Sequence, residues 1–136
     1  MKSKILSIML LLSLSLSSFK TAENPIRIVF FGDSITQAGV NKTGYITKMA
    51  EMLGTQGLAS KYELIGAGIG GNKIYDLYLR HEEDVIAKKP NIVIIYVGIN
   101  DVWHKTSSRT GTDADKFERF YNALIKKIQK ANAQVV

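Results

Sequence analysis

Three short stretches of this 136-residue chain hold residue types and spacings that can do chemistry. The first is Gly32-Asp33-Ser34-Ile35-Thr36-Gln37. It closes an apolar run, Ile26 to Phe31, and precedes helix-like sequence, so Ser34 sits at a strand-to-helix turn. A hydroxyl there lies near backbone N–H groups that stabilise an anion, which suits a nucleophile of acyl transfer. The same residues fit a helix cap, because Ser34 and Gln37 satisfy the S-x-x-Q capping box. The G-x-S-x-G of a nucleophile elbow is absent.

The second stretch, Gly66-Ala67-Gly68-Ile69-Gly70-Gly71, satisfies G-x-G-x-x-G between a strand and a helix. That pattern suits a dinucleotide or phosphate site. Its glycines equally permit a tight turn, or a bare backbone N–H aimed at an oxyanion. The acidic residue that a dinucleotide site places about 20 residues further on is missing, since Asp84 falls inside the following helix. The third stretch is Gly98-Ile99-Asn100-Asp101. The Asn100 amide can donate to an oxyanion, and both polar residues can cap a helix or form an Asx-turn. Asp101-Val102-Trp103-His104 is also a D-x-x-H, which makes His104 a candidate general base. His81 falls on a helix face as a packing or surface residue. The two histidines make a poor ligand set, so no metal and no cofactor are expected.

Gly-Asp-Ser after the first strand, a Gly-rich turn after the second and Gly-x-Asn-Asp after the third together resemble the GDSL, or SGNH, hydrolase family. The resemblance runs from about Ile26 to the chain end. It implies a three-layer α/β/α sandwich on a parallel, flavodoxin-like sheet. It also implies hydrolysis of a carbohydrate O-acyl or small acyl ester through an acyl-enzyme. Position by position, Ser34 matches the nucleophile, Gly71 the backbone N–H donor of the oxyanion hole and Asn100 its side-chain donor. Asp33 and Asp101 match supporting positions, and Gly68 can share the role of Gly71. The second block of the family usually opens on Asn, where this chain has Gly66. The family's Asp-x-x-His follows the last strand, beyond Val136. The Asp101-x-x-His104 overlaps the third motif, whose Asp already has a place. Two other readings stay open: a nucleotide- or phosphate-binding module built on Gly66 to Gly71, and an inactive binding protein on the same fold.

These stretches need strands and helices to hold them. Ile26 to Phe31, Tyr62 to Ile65 and Ile92 to Val97 are short apolar runs rich in β-formers, the pattern of buried strands. Gly44 to Leu53 predicts a helix with Tyr45, Ile46, Met49, Met52 and Leu53 on one face, ended by Gly54 and Gly57. Ile74 to Ala87 predicts an amphipathic helix on Ile74, Leu77, Tyr78 and Val85, stopped by Pro90. A polar loop follows from His104 to Gly111. Thr112 and Asp115 resemble a capping box, opening a helix on Phe117, Phe120, Tyr121, Leu124, Ile125 and Ile128. Apolar strands alternating with amphipathic helices imply a parallel sheet covered on both faces. Ligands of such sheets bind outside the carboxyl ends of the strands, where all three stretches lie. Gln134 to Val136 reads as the opening of a fourth strand, so the domain, residues 23–136, is expected to be truncated with its C-terminal strands missing.

The chain is 46% hydrophobic, which suits one globular domain, and it has no cysteine, which excludes a disulfide framework. Met1 to Lys4 is basic, and Ile5 to Leu16 is a short apolar, Ser-containing run. Residues 1–22 therefore read as a signal peptide, with export to the periplasm or medium and membrane contact through that segment alone. Three of the six net positive charges are Lys2, Lys4 and Lys20 in this leader, leaving +3 on the domain. No basic block tracks phosphates, so nucleic acid is not an expected partner. Oligomeric state is not legible.

Overall fold

The computed structural model describes residues 24–136; the expected leader at residues 1–22 lies outside them. Strands β1 (Ile26–Gly32), β2 (Tyr62–Gly68), β3 (Ile92–Tyr96) and β4 (Gln134–Val135) form one sheet in the order β2-β1-β3-β4. Every pairing is parallel, with Gly32 opposite both Gly68 and Tyr96. The carboxyl ends of β1, β2 and β3 therefore finish level, and the loops leaving them share one edge of the sheet. Five helices connect the strands: α1 (Ser34–Gly39), α2 (Tyr45–Thr55), α3 (Ile74–Asp84), α4 (Ile99–Ser107) and α5 (Ala114–Lys130).

Alternation along β1 assigns the two faces, because successive side chains of a strand point oppositely. Val29 and Phe31 join Val93, Ile74, Leu77, Leu124 and Ile128 in the main core, under α3 and α5. Phe30 points the other way and meets the Tyr45 ring of α2 edge-on, at 5.7 Å between centroids. The result is a helix–sheet–helix sandwich. Full burial of a side chain such as Leu77 or Leu124 stabilises by about 1.5–3 kcal/mol.

Several boundaries differ from those expected. β2 runs through Gly66 and Gly68 rather than stopping at Ile65. These glycines stay in the strand because neighbours occupy the space of a side chain. A Cβ on Gly66 would stand 2.4 Å from Val40 Cγ1, and one on Gly68 2.1 Å from the Gln37 backbone nitrogen. Helix α2 includes Gly54 and ends before Gly57, whose φ of +69° reverses the chain. Of its expected apolar face only Ile46 is buried; Met52 is 61% exposed, and Tyr45 and Met49 are also exposed. Helix α3 stops at Asp84, and a 3₁₀ turn at Ile86–Lys88 leads to Lys89 in the left-handed region. The polar loop expected from His104 starts only after Ser107, because the third stretch forms α4. The α5 cap is Asp113, not Thr112, and its carboxylate pairs with Lys105 of α4 at 2.8 Å. That contact holds the Asp113 carboxyl below the usual carboxylate range, chiefly through the Lys105 hydrogen bond.

Candidate active site

Ser34 is the first residue of α1 and is exposed at the end of β1. The capping box expected between Ser34 and Gln37 is not formed. Asp33, 1% exposed, is the cap: its carboxylate accepts from Ile35 N at 2.9 Å. This leaves the Ser34 hydroxyl free of capping duty. Its backbone N–H, at the first turn of a helix, has no intrahelical partner. Gln37 is used elsewhere: its Oε1 accepts from the Gly70 N–H at 2.8 Å. The second loop is thereby drawn against the first, and a Cβ on Gly70 would stand 3.8 Å from Ser34 Cβ.

Each residue of the segment from Gly70 to Asn72 is gripped by a side chain. Gln37 takes the Gly70 N–H. Lys73, 8% exposed, donates Nζ to the Gly71 carbonyl at 3.0 Å. Asn72 accepts from Arg80 Nε at its side-chain oxygen, at 2.7 Å, and from Asn100 Nδ2 at its backbone carbonyl, at 3.0 Å. Gly71 lies between these anchors at φ +78°, a conformation that L side chains rarely adopt. The segment thus runs from the flank of Ser34 to the amide of Asn100, which is 6% exposed. Ser34, Gly71 and Asn100 therefore lie along one continuous stretch of the sheet's carboxyl edge.

The remaining expected residues have other commitments. Gly68 packs under Gln37 as strand. Asp101, 2% exposed, turns both carboxylate oxygens to the Ile74 N–H, each at 3.2 Å, and so caps α3. This bears on the G-x-G-x-x-G reading. A pyrophosphate on such a motif sits at the following helix N-terminus. Here a carboxylate already occupies that place, and the Lys73 N–H is taken by Asp76 at 2.8 Å. His104 lies one turn beyond Asp101 on α4, and among the described residues no hydrogen bond joins its ring to Ser34 or Asp101. His81, 5% exposed, stacks on Tyr78 at 5.6 Å. A cavity of about 340 Å³ opens beside Asp33, Ile35, Tyr96, Gly98 and Val102.

Sequence reasoning missed Gln37, Asn72, Lys73 and Arg80. Gln37 carried a competing local explanation as a cap. Arg80 offered only its i,i+4 spacing to Asp84, a pairing seen at 2.6 Å.

Residues 30–136 match the model of the GDSL-like Lipase/Acylhydrolase family. An acetylxylan esterase of Geobacillus stearothermophilus is 38% identical over a 90-residue alignment that covers 58% of this chain and 41% of that protein. Among solved structures, the acetyl xylan esterase AlAXEase shares 66% identity at a TM-score of 0.80, over 82% of this chain and 56% of its own. A variant of an acetyl xylan esterase from Geobacillus stearothermophilus shares 30% identity at a TM-score of 0.72, over 80% of this chain and 57% of its own. The chain spans about half the length of these relatives.

Proposed function

The chain belongs to the GDSL-like lipase/acylhydrolase family, and on that premise we propose that it is the nucleophile-bearing part of an exported serine esterase that removes acetyl groups from a xylan-type polysaccharide. The observation that supports this reading is the gripped segment Gly70 to Asn72, which begins beside Ser34 and ends on the amide of Asn100. The 66% identity to an acetyl xylan esterase supports the substrate class.

In the proposed mechanism Ser34 Oγ attacks the ester carbonyl carbon as a histidine takes its proton. The oxyanion that develops is held by the N–H groups of Ser34 and Gly71 and by Asn100 Nδ2. Each such donor lowers the barrier by roughly 3 kcal/mol. Collapse breaks the bond to the sugar oxygen, which takes the proton from the histidine and leaves as a hydroxyl, and water then releases acetate from the acetyl-serine. Asp33 and Asp101 support this edge by capping α1 and α3. The base and its orienting carboxylate belong, in this reading, to a segment outside residues 24–136. Neither described histidine is bonded to Ser34, and the chain spans only 41% and 56% of the length of two of its relatives. The leader at residues 1–22 would deliver the enzyme to a polysaccharide outside the cell.

The test is acetate release from acetylated xylooligosaccharides by a polypeptide that contains this chain and spans the relatives' full length. Ser34→Ala should abolish release while circular dichroism stays unchanged. Most of the activity surviving in a folded Ser34→Ala would rule the reading out.

A further inference from the structure

Arg80 is the most heavily committed side chain near the candidate site. It leaves α3 and runs inward, 14% exposed, beneath the carboxyl ends of the first two strands. Nη2 donates to the carbonyl of Gly32 at 2.9 Å and to that of Ala67 at 3.1 Å. Gly32 is the last residue of β1, two before Ser34. Ala67 lies at the end of β2, just before the loop that carries Gly71. Nε donates to Asn72 Oδ1 at 2.7 Å, and Nη1 to Asp84 at 2.6 Å. The guanidinium carbon stands 4.5 Å from the centroid of the Phe31 ring, so its plane is packed as well as bonded.

Resting on the esterase reading above, we propose that Arg80 is the positioning residue of the oxyanion corner: one guanidinium ties the nucleophile strand to the oxyanion loop and, through Asn72, orients the amide of Asn100. The chain of contacts is short. Arg80 fixes the side chain of Asn72, and the carbonyl of that same residue fixes Asn100 Nδ2 at 3.0 Å. Arg80 touches no substrate. It determines where the two donors stand relative to Ser34. Oxyanion donors act only when held in place before charge develops, and a displacement of about 1 Å far from the chemistry can cost about 100-fold in rate. A planar group with five N–H donors can satisfy two carbonyls, an amide oxygen and a carboxylate together. Lysine, with one ammonium, cannot.

This role predicts a particular kinetic pattern. With a nitrophenyl acetate substrate, Arg80→Lys should lower kcat roughly 10- to 100-fold and leave KM within about 2-fold, because the loss falls on the transition state. In an Asn100→Ala background the same substitution should cost far less, since the group it orients is gone. An Arg80 that merely stabilises the fold would lower the melting temperature and show equal losses in both backgrounds. Asn72→Ala breaks the middle link while sparing the strand-end contacts of Arg80, so it decides the matter if Arg80→Lys does not fold. It should reproduce the kcat loss and be non-additive with Asn100→Ala. Full kcat in a folded Arg80→Lys or in Asn72→Ala, or additive losses, would overturn the proposal. Ser34→Ala in parallel separates the two levels. An inactive Ser34→Ala beside a fully active Arg80→Lys removes Arg80's role alone; an active Ser34→Ala removes the reading beneath it.

Discussion

A buried amide that already holds one hydrogen bond has little freedom to turn. Asn100 Nδ2 donates to the Asn72 carbonyl, which leaves its second N–H in a fixed direction. Such a donor needs no reorganisation when an oxyanion forms, so its contribution falls on the transition state. Asn100→Ala should therefore lower kcat roughly 10²–10³-fold with little change in KM. A change confined to KM would assign Asn100 to substrate binding instead. Ser34, Gly71 and Asn100 were legible as candidates because each sits in a short motif after an apolar strand. Their supports were not. Gln37, Asn72 and Arg80 act across separations of 33, 28 and 48 residues. Nothing in the local pattern of a glutamine in a first helical turn, or an arginine on a helix flank, announces such partners. Asp101 shows the opposite difficulty: its D-x-x-H spacing suggested a dyad, whereas burial commits its carboxylate to the N-terminus of α3.

At the scale of elements, the site depends on β2 approaching α1 closely enough for Gln37 to reach Gly70. Gly68 permits this. A Cβ there would meet the Gln37 nitrogen at 2.1 Å and the Asp33 carbonyl oxygen at 2.7 Å, both backbone atoms that cannot rotate away. Gly68→Ala should cost about 1–3 kcal/mol by overpacking, read as a lower denaturation midpoint. A midpoint equal to wild type would show that β2 and α1 are not so tightly apposed. The strand order and three of the helices followed from apolar runs and periodicity, and all four expected strands are present, whereas α1 and α4 stand where turns and loops were expected. The boundaries failed where tertiary contact overrides local preference. Glycine is depleted in strands, yet Gly66 and Gly68 belong to β2 because Val40 and α1 fill their side-chain space. Asn and Asp favour turns, yet Asn100 and Asp101 form the first turn of α4 because each finds a partner across the sheet edge. The exposed Met49 and Met52 show that periodicity can mark an apolar face without specifying what covers it.

At the scale of the molecule, a four-stranded parallel sheet with helices on both faces brings three loops to one edge. The sheet order places β1 between β2 and β3, so Ser34 stands between the loop that carries Gly71 and the loop that carries Asn100. Among the described residues no histidine is hydrogen-bonded to Ser34. Serine is a weak nucleophile without an adjacent base. A polypeptide of residues 24–136 alone should therefore hydrolyse nitrophenyl acetate at no more than the residual rate of an oxyanion hole. His104→Ala in that polypeptide should change nothing; robust turnover that vanishes in His104→Ala would make Asp101-x-x-His104 the working dyad. The central claim, an acyl-enzyme on Ser34, is tested most directly by trapping it. A polypeptide spanning the relatives' full length is mixed with nitrophenyl acetate, quenched in acid within the first turnovers and digested for mass spectrometry. The account predicts an acetyl group on the peptide that carries Ser34, absent from Ser34→Ala. Acetate turnover with the label on another residue, or with no covalent label in either protein, would contradict it.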